Sequence, residues 1–73
     1  MKVVLVTRAG CHLCDDALRL LEDLGVRPEL ADVDADNELY RLYDFRVPVI
    51  MVDGGVIAEG KITRDQLLSL LPS

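Results

Sequence analysis

Cys11 and Cys14 are the residues whose chemistry stands out. They lie in Ala9-Gly10-Cys11-His12-Leu13-Cys14-Asp15-Asp16, two thiols three positions apart where a strand-like run gives way to a helix-like one. Residues three apart on a helix share a face, so a sulfur at the helix start and another one turn on can close a small disulfide ring. Closing so short a loop removes little chain entropy from the unfolded state. Such a bridge is a poor structural staple, and the pair reads as a dithiol made and broken as chemistry.

A thiolate attacks a disulfide, and a helix N-terminus supplies positive potential and unpaired amide hydrogens that favour the charged sulfur. Cys11 is therefore the candidate nucleophile, in a setting where thiol pKa values fall to about 3.5–7.5 against about 8.5 for a free cysteine. Cys14, beside apolar Leu13 and Ala17, is expected to be less exposed and to resolve the mixed disulfide formed on Cys11. An imidazolium at His12 would stabilise the neighbouring thiolate, whereas Asp15 and Asp16 would oppose it, so the net shift on Cys11 stays unsigned. A closed zinc site needs four ligands, and this stretch offers Cys11, Cys14 and His12 alone. No metal ligands are assigned; carboxylates or a second chain would have to complete such a site.

The elements that must position the thiols follow from the apolar spacing. Val3 to Val6 is an unbroken aliphatic run, expected of a strand covered on both faces at the centre of a sheet. Leu13, Ala17, Leu20, Leu21 and Leu24 then fall at helical spacing, and Gly25 ends that helix. Val26 to Asp34 alternates weakly and contains Pro28, which suits an edge strand or its entry. Asp36 caps a shorter helix in which Leu39, Leu42 and Tyr43 are spaced to face the core, ending near Asp44-Phe45. Tyr40 and Tyr43 are expected to serve as core packing. Val49 to Val52 and Val56 to Glu59 flank Asp53-Gly54-Gly55, a tight hairpin. Thr63 and Gln66 form a capping box, Ile62 and Leu67 a hydrophobic staple, Leu67, Leu68, Leu70 and Leu71 supply a buried face, and Pro72 stops the last helix.

The 73 residues suffice for one domain, residues 1–73, of which half are hydrophobic. Eight basic residues are scattered among thirteen acidic ones, for a net charge of -5. That balance argues against a nucleic-acid partner and leaves a basic docking partner open. The apolar run after Lys2 ends at Thr7-Arg8, too short for a signal segment or a membrane span. A cytoplasmic monomer is expected, and in that reducing compartment a cysteine pair is more often catalytic or metal-binding than structural.

The order strand, helix, strand, helix, hairpin, helix, with Cys11-His12-Leu13-Cys14 after the first strand, Val47-Pro48 before the third and Gly60 before the last helix, resembles the thioredoxin fold in its minimal glutaredoxin form. It is most similar to short glutaredoxin-like bacterial proteins, over nearly the whole chain. The resemblance implies an α/β fold, βαβαββα, with a four-stranded mixed sheet and helices on both faces. It implies a thiol-disulfide oxidoreductase acting on protein or glutathione-linked disulfides, with Pro48 cis against the dithiol and the Val47 backbone pairing with substrate like an added strand. No bound cofactor is required; glutathione or a thioredoxin-reductase-like protein would supply electrons, and the partner would be a disulfide-containing protein or a low-molecular-weight thiol. Some glutaredoxins hold an iron-sulfur cluster between subunits with glutathione, so a metal- or cluster-binding module, or a redox-dependent binder without turnover, is the competing function. Arg8 stands where the family often has a lysine near glutathione, and with Arg46 and Lys61 it sketches a weak anion-binding rim; His12 and Gly60 join Arg8, Val47 and Pro48 as expected substrate-binding positions. The pattern departs from glutathione binders where Lys61 follows Gly60 and Thr63 takes the cap, in place of paired glycines and an aspartate. The electron donor therefore stays open.

Overall fold

Strand β1 (Val3–Thr7) sends successive side chains to opposite faces. Val3 and Leu5 enter an apolar cluster with Ala17, Leu21, Ile50 and Leu67, while Val6 joins Val33 and Val49 on the other side. The computed structural model describes residues 1–70, so Leu71 and Pro72 lie outside the described residues. Helix α1 (His12–Asp23) carries the chain across to β2 (Glu29–Asp32), as the parallel pairing of β1 and β2 demands. Helix α2 (Asn37–Tyr43), β3 (Val49–Val52), β4 (Gly55–Glu59) and α3 (Arg64–Leu70) follow. The strand order is β2-β1-β3-β4, with β3 antiparallel to both of its neighbours. The result is an α/β mixed sheet, with α1 and α3 contributing to one apolar cluster and α2 to the other.

Local chemistry accounts for the element ends. The C-terminus of α1 closes when the Gly25 and Val26 amides donate to Glu22 and Leu21 carbonyls at 2.9 and 2.8 Å, a Schellman arrangement. Asp36 caps α2, its carboxylate accepting from the Glu38 and Leu39 amides at 2.9 and 3.0 Å. Thr63 Oγ1 accepts from the Gln66 amide at 3.2 Å, and Ile62 and Leu67 share one cluster as the staple requires. The hairpin turns on Asp53 and Gly54 alone, both with positive φ (50° and 87°), and Gly55 already pairs with Val52. A two-residue turn with both centres left-handed matches the strand twist, which explains why the turn is one residue shorter than the glycine run suggests.

The inward faces are narrower than the apolar spacing predicts. On α1, Cys14, Ala17 and Leu21 are buried, one line facing the sheet, while Leu13 is 43% exposed. Leu13 precedes Cys14 by a rotation of about 100° and so turns away from that line. Likewise α2 packs through Leu39 and Tyr43, leaving Leu42 and Tyr40 exposed, and α3 buries Leu67 while Leu68 and Leu70 face solvent. Helices of seven residues present barely two turns, enough for one line of contact.

Candidate functional site

The C-terminal end of β1 leads directly to the cysteines. Arg8 carbonyl accepts from the Cys11 amide at 3.2 Å, closing a turn whose third residue, Gly10, has φ of 77°. A side chain there would strain the backbone, so Gly10 is what lets the strand reverse into the helix. Cys11 is the N-cap of α1, in extended conformation, and its Sγ accepts from the Cys14 amide at 3.1 Å. The two are joined as a disulfide with Cα atoms 5.2 Å apart. Cys11 is partly exposed and Cys14 is 2% exposed. Cys11 is thus the more exposed of the two, and the Cys14 amide at the helix N-terminus is aimed at its sulfur, an arrangement that favours a thiolate there.

Val47-Pro48 arrives at the same end. Val49 pairs with Val6 in the antiparallel register, so the residues before β3 sit beside the residues after β1. The Val47-Pro48 peptide bond is cis, and Pro48 is buried. Gly60 donates its amide to the Pro48 carbonyl at 2.8 Å, so Gly60 braces this turn from the end of β4. Val47 is half-buried, and among the described residues no hydrogen bond engages its amide or carbonyl. Backbone groups so placed can pair with an extended chain laid alongside.

The basic residues of the expected rim are mostly committed elsewhere. Arg8 donates through Nε and Nη2 to the two Asp34 oxygens at 3.0 and 2.9 Å, through Nη1 to the Asp44 carbonyl at 2.9 Å, and through Nη2 to the Asp44 carboxylate. Hydrogen bonds to Asp34 and then Asp44 raise the Arg8 pKa further above its ordinary value, and the Arg8 hydrogen bonds hold Asp34 below the usual carboxylate range. Tyr40, expected in the core, is instead about half exposed with its ring 6.0 Å from the Arg8 guanidinium, at the limit of a cation–π contact. Arg46 pairs with Glu59 at 2.8 Å and lies 5.8 Å from the Tyr43 ring. His12 is the exposed first residue of α1, and Lys61 is exposed.

Sequence reasoning did not find Asp34 and Asp44 as the partners of Arg8. The parallel register Thr7 with Asp32, and the Val33 amide bonded to the Thr7 carbonyl at 2.9 Å, put the residues after β1 and β2 side by side. That signal becomes usable only once the two strands are taken as parallel neighbours. Phe45, 95% exposed between Asp44 and Arg46, was likewise missed. An open groove of about 310 Å³ along α1, lined by Asp16, Arg19, Leu20, Asp23 and Ile62, includes neither cysteine. No helix of the described residues is long and apolar enough to cross a membrane.

Comparison with known proteins agrees with this architecture. A family profile described as Glutaredoxin-like domain (DUF836) matches residues 2–72. Among solved structures, the thioredoxin-like protein BC3987 is 29% identical, with 96% of this chain and 100% of that one covered and a TM-score of 0.76. Protein Ne2328 from Nitrosomonas europaea is 28% identical, covering 97% and 91% with a TM-score of 0.83. Protein XcR50 from X. campestris is 28% identical, covering 96% and 99% with a TM-score of 0.78. No curated protein matches the chain.

Proposed function

Because the chain belongs to the glutaredoxin-like domain family, we propose that it is a thiol-disulfide oxidoreductase working through Cys11 and Cys14. The observation that carries this is the asymmetry of the pair: a partly exposed Cys11 at the cap of α1 with an amide donating to its sulfur, and a partner, Cys14, that is 2% exposed. In the reduced protein the Cys11 thiolate attacks a substrate disulfide, forms a mixed disulfide and expels the first substrate thiolate. Cys14 then attacks Cys11 Sγ, closes the Cys11–Cys14 bond and expels the second. Two electrons pass to the substrate, and its two thiolates take up protons.

Val47 and Pro48 orient the substrate strand, with Gly60 holding Pro48 in place and Arg8 holding the loop that carries Cys11. His12 borders the sulfur. The reaction takes place in the cytoplasm on a protein disulfide or a low-molecular-weight one, in a monomer with no bound cofactor, and glutathione or the dithiol of a reductase returns the electrons. The test is trapping. Cys14→Ser mixed with a model disulfide should accumulate an adduct on Cys11, seen by intact mass, whereas Cys11→Ser should form none. An adduct on neither variant would refute the exchange.

A further inference from the structure

The segment between α2 and β3 is pinned on both sides of its most exposed residue. Asp44 is held through its carboxylate and carbonyl by Arg8, and Arg46 is held by Glu59. Phe45 between them is 95% exposed. A large ring kept in water on a braced backbone is an available contact surface. It lies two residues before Val47, whose backbone groups are open, and Leu13, 43% exposed, rises from the same end of the sheet between the two cysteines.

Charge narrows what can dock there. Arg8 is outnumbered by Asp34 and Asp44, Arg46 is neutralised by Glu59, and Asp15 and Asp16 are exposed on the first turns of α1; the exposed Lys61 after Gly60 offsets only part of this, so acidic groups still outnumber basic ones at this end. The whole chain carries -5. Glutathione and its disulfide are anionic, so this end repels them and attracts a cation. From the exposed ring, the open backbone and the acidic surroundings, we infer that the dithiol end takes polypeptide disulfides whose flanking residues are apolar and basic, with Phe45 as the apolar anchor. The inference rests on the disulfide exchange proposed above and names its substrate class. The step is the same: two electrons leave the dithiol, the peptide disulfide becomes two thiols, and no other reactant enters a single turnover.

The experiment measures single-turnover rates of the reduced protein against four disulfides: a small neutral one, bis(2-hydroxyethyl) disulfide; a peptide disulfide flanked by Leu and Lys; the same peptide with Glu for Lys; and oxidised glutathione. Each rate is divided by that of free dithiothreitol toward the same disulfide, which removes differences in leaving-group pKa. The Lys peptide should exceed the Glu peptide and glutathione about tenfold at low salt, with the gap closing as salt rises. Phe45→Ser should lower the ratio of Lys-peptide rate to neutral-disulfide rate about tenfold. Equal normalised rates for both peptides, a faster rate with glutathione, or a ratio indifferent to Phe45→Ser, each with the neutral disulfide still reduced, would overturn the substrate class alone. Failure to reduce the neutral disulfide would overturn the exchange itself and the inference with it.

Discussion

At the hairpin end of the sheet, Asp53 closes on Lys2 through its amide and its carboxylate, both at 2.8 Å, and a two-residue turn completes the strands. At the opposite end, Cys11 is partly exposed, the Val47 backbone is open, and Phe45 stands in water. At the hairpin end Asp53 and Lys2, at the ends of neighbouring strands, satisfy each other's backbone groups. At the dithiol end Arg8 is engaged by Asp34 and Asp44, while, among the described residues, the Val47 backbone groups beside it stay unengaged. Bidentate and networked ion pairs are the exception to the small worth of surface pairs, which suits Arg8 as a brace. An end that keeps backbone groups open beside a firmly held loop suits the exchange proposed above.

The largest effect expected at the dithiol end is that of Cys11→Ser, which should drop disulfide reduction to the uncatalysed rate while leaving a cooperative unfolding transition, lowered by no more than about 2 kcal/mol, the worth of closing so short a ring. An unfolding transition that collapsed with that substitution would make the bridge a staple and erase the contrast with the hairpin. Next, Leu21→Ala, in the core beneath both ends, should cost about 2–5 kcal/mol in denaturant unfolding. If reduction rates of the folded fraction stay near wild type, packing and chemistry separate as described.

Gly10→Ala and Gly54→Ala sharpen the comparison, since both place a side chain at positive φ and each should cost about 1–2 kcal/mol. Only Gly10→Ala should slow disulfide exchange, because it moves the turn carrying Cys11. Equal kinetic effects would mean that the two ends communicate through global stability alone.

The smallest effect is a pH dependence. Hydrogen bonds from Arg8 lower the folded pKa of Asp34 below the ordinary carboxylate value. Its contribution to stability is therefore fully present above that value and is lost as pH falls through the lower folded value. Asp34→Asn should show a deficit relative to wild type that is constant above about pH 5 and shrinks below it. A deficit that persisted unchanged at pH 2 would place the effect in packing and not in the Arg8 pairing.

Much of the molecule was legible in the amino-acid order because it is decided within a few residues. The Asp36 cap, the Thr63 cap with its Ile62 and Leu67 staple, and the unbroken aliphatic run of Val3 to Val6 each depend on neighbours in sequence. Leu13, Leu42, Leu68 and Leu70 were misplaced because apolar spacing records which side chains could share a face, whereas the sheet covers only one line of each short helix. The dithiol itself was plain from Cys11 and Cys14 at the junction of two patterns. The pairing of Arg8 with Asp34 and Asp44 was not, since it depends on which strands become neighbours and exists in no local window. Phe45 escaped for a related reason: its exposure follows from two flanking ion pairs, one of them formed across the sheet.

The most direct test of the central claim is a mass-resolved redox titration of the protein in glutathione buffers, following the two thiol hydrogens of Cys11 and Cys14. A reversible two-electron transition at about -200 to -270 mV is the predicted result, placing the couple among those that exchange at cellular potentials. A pair that stays fully oxidised or fully reduced across that span would contradict it.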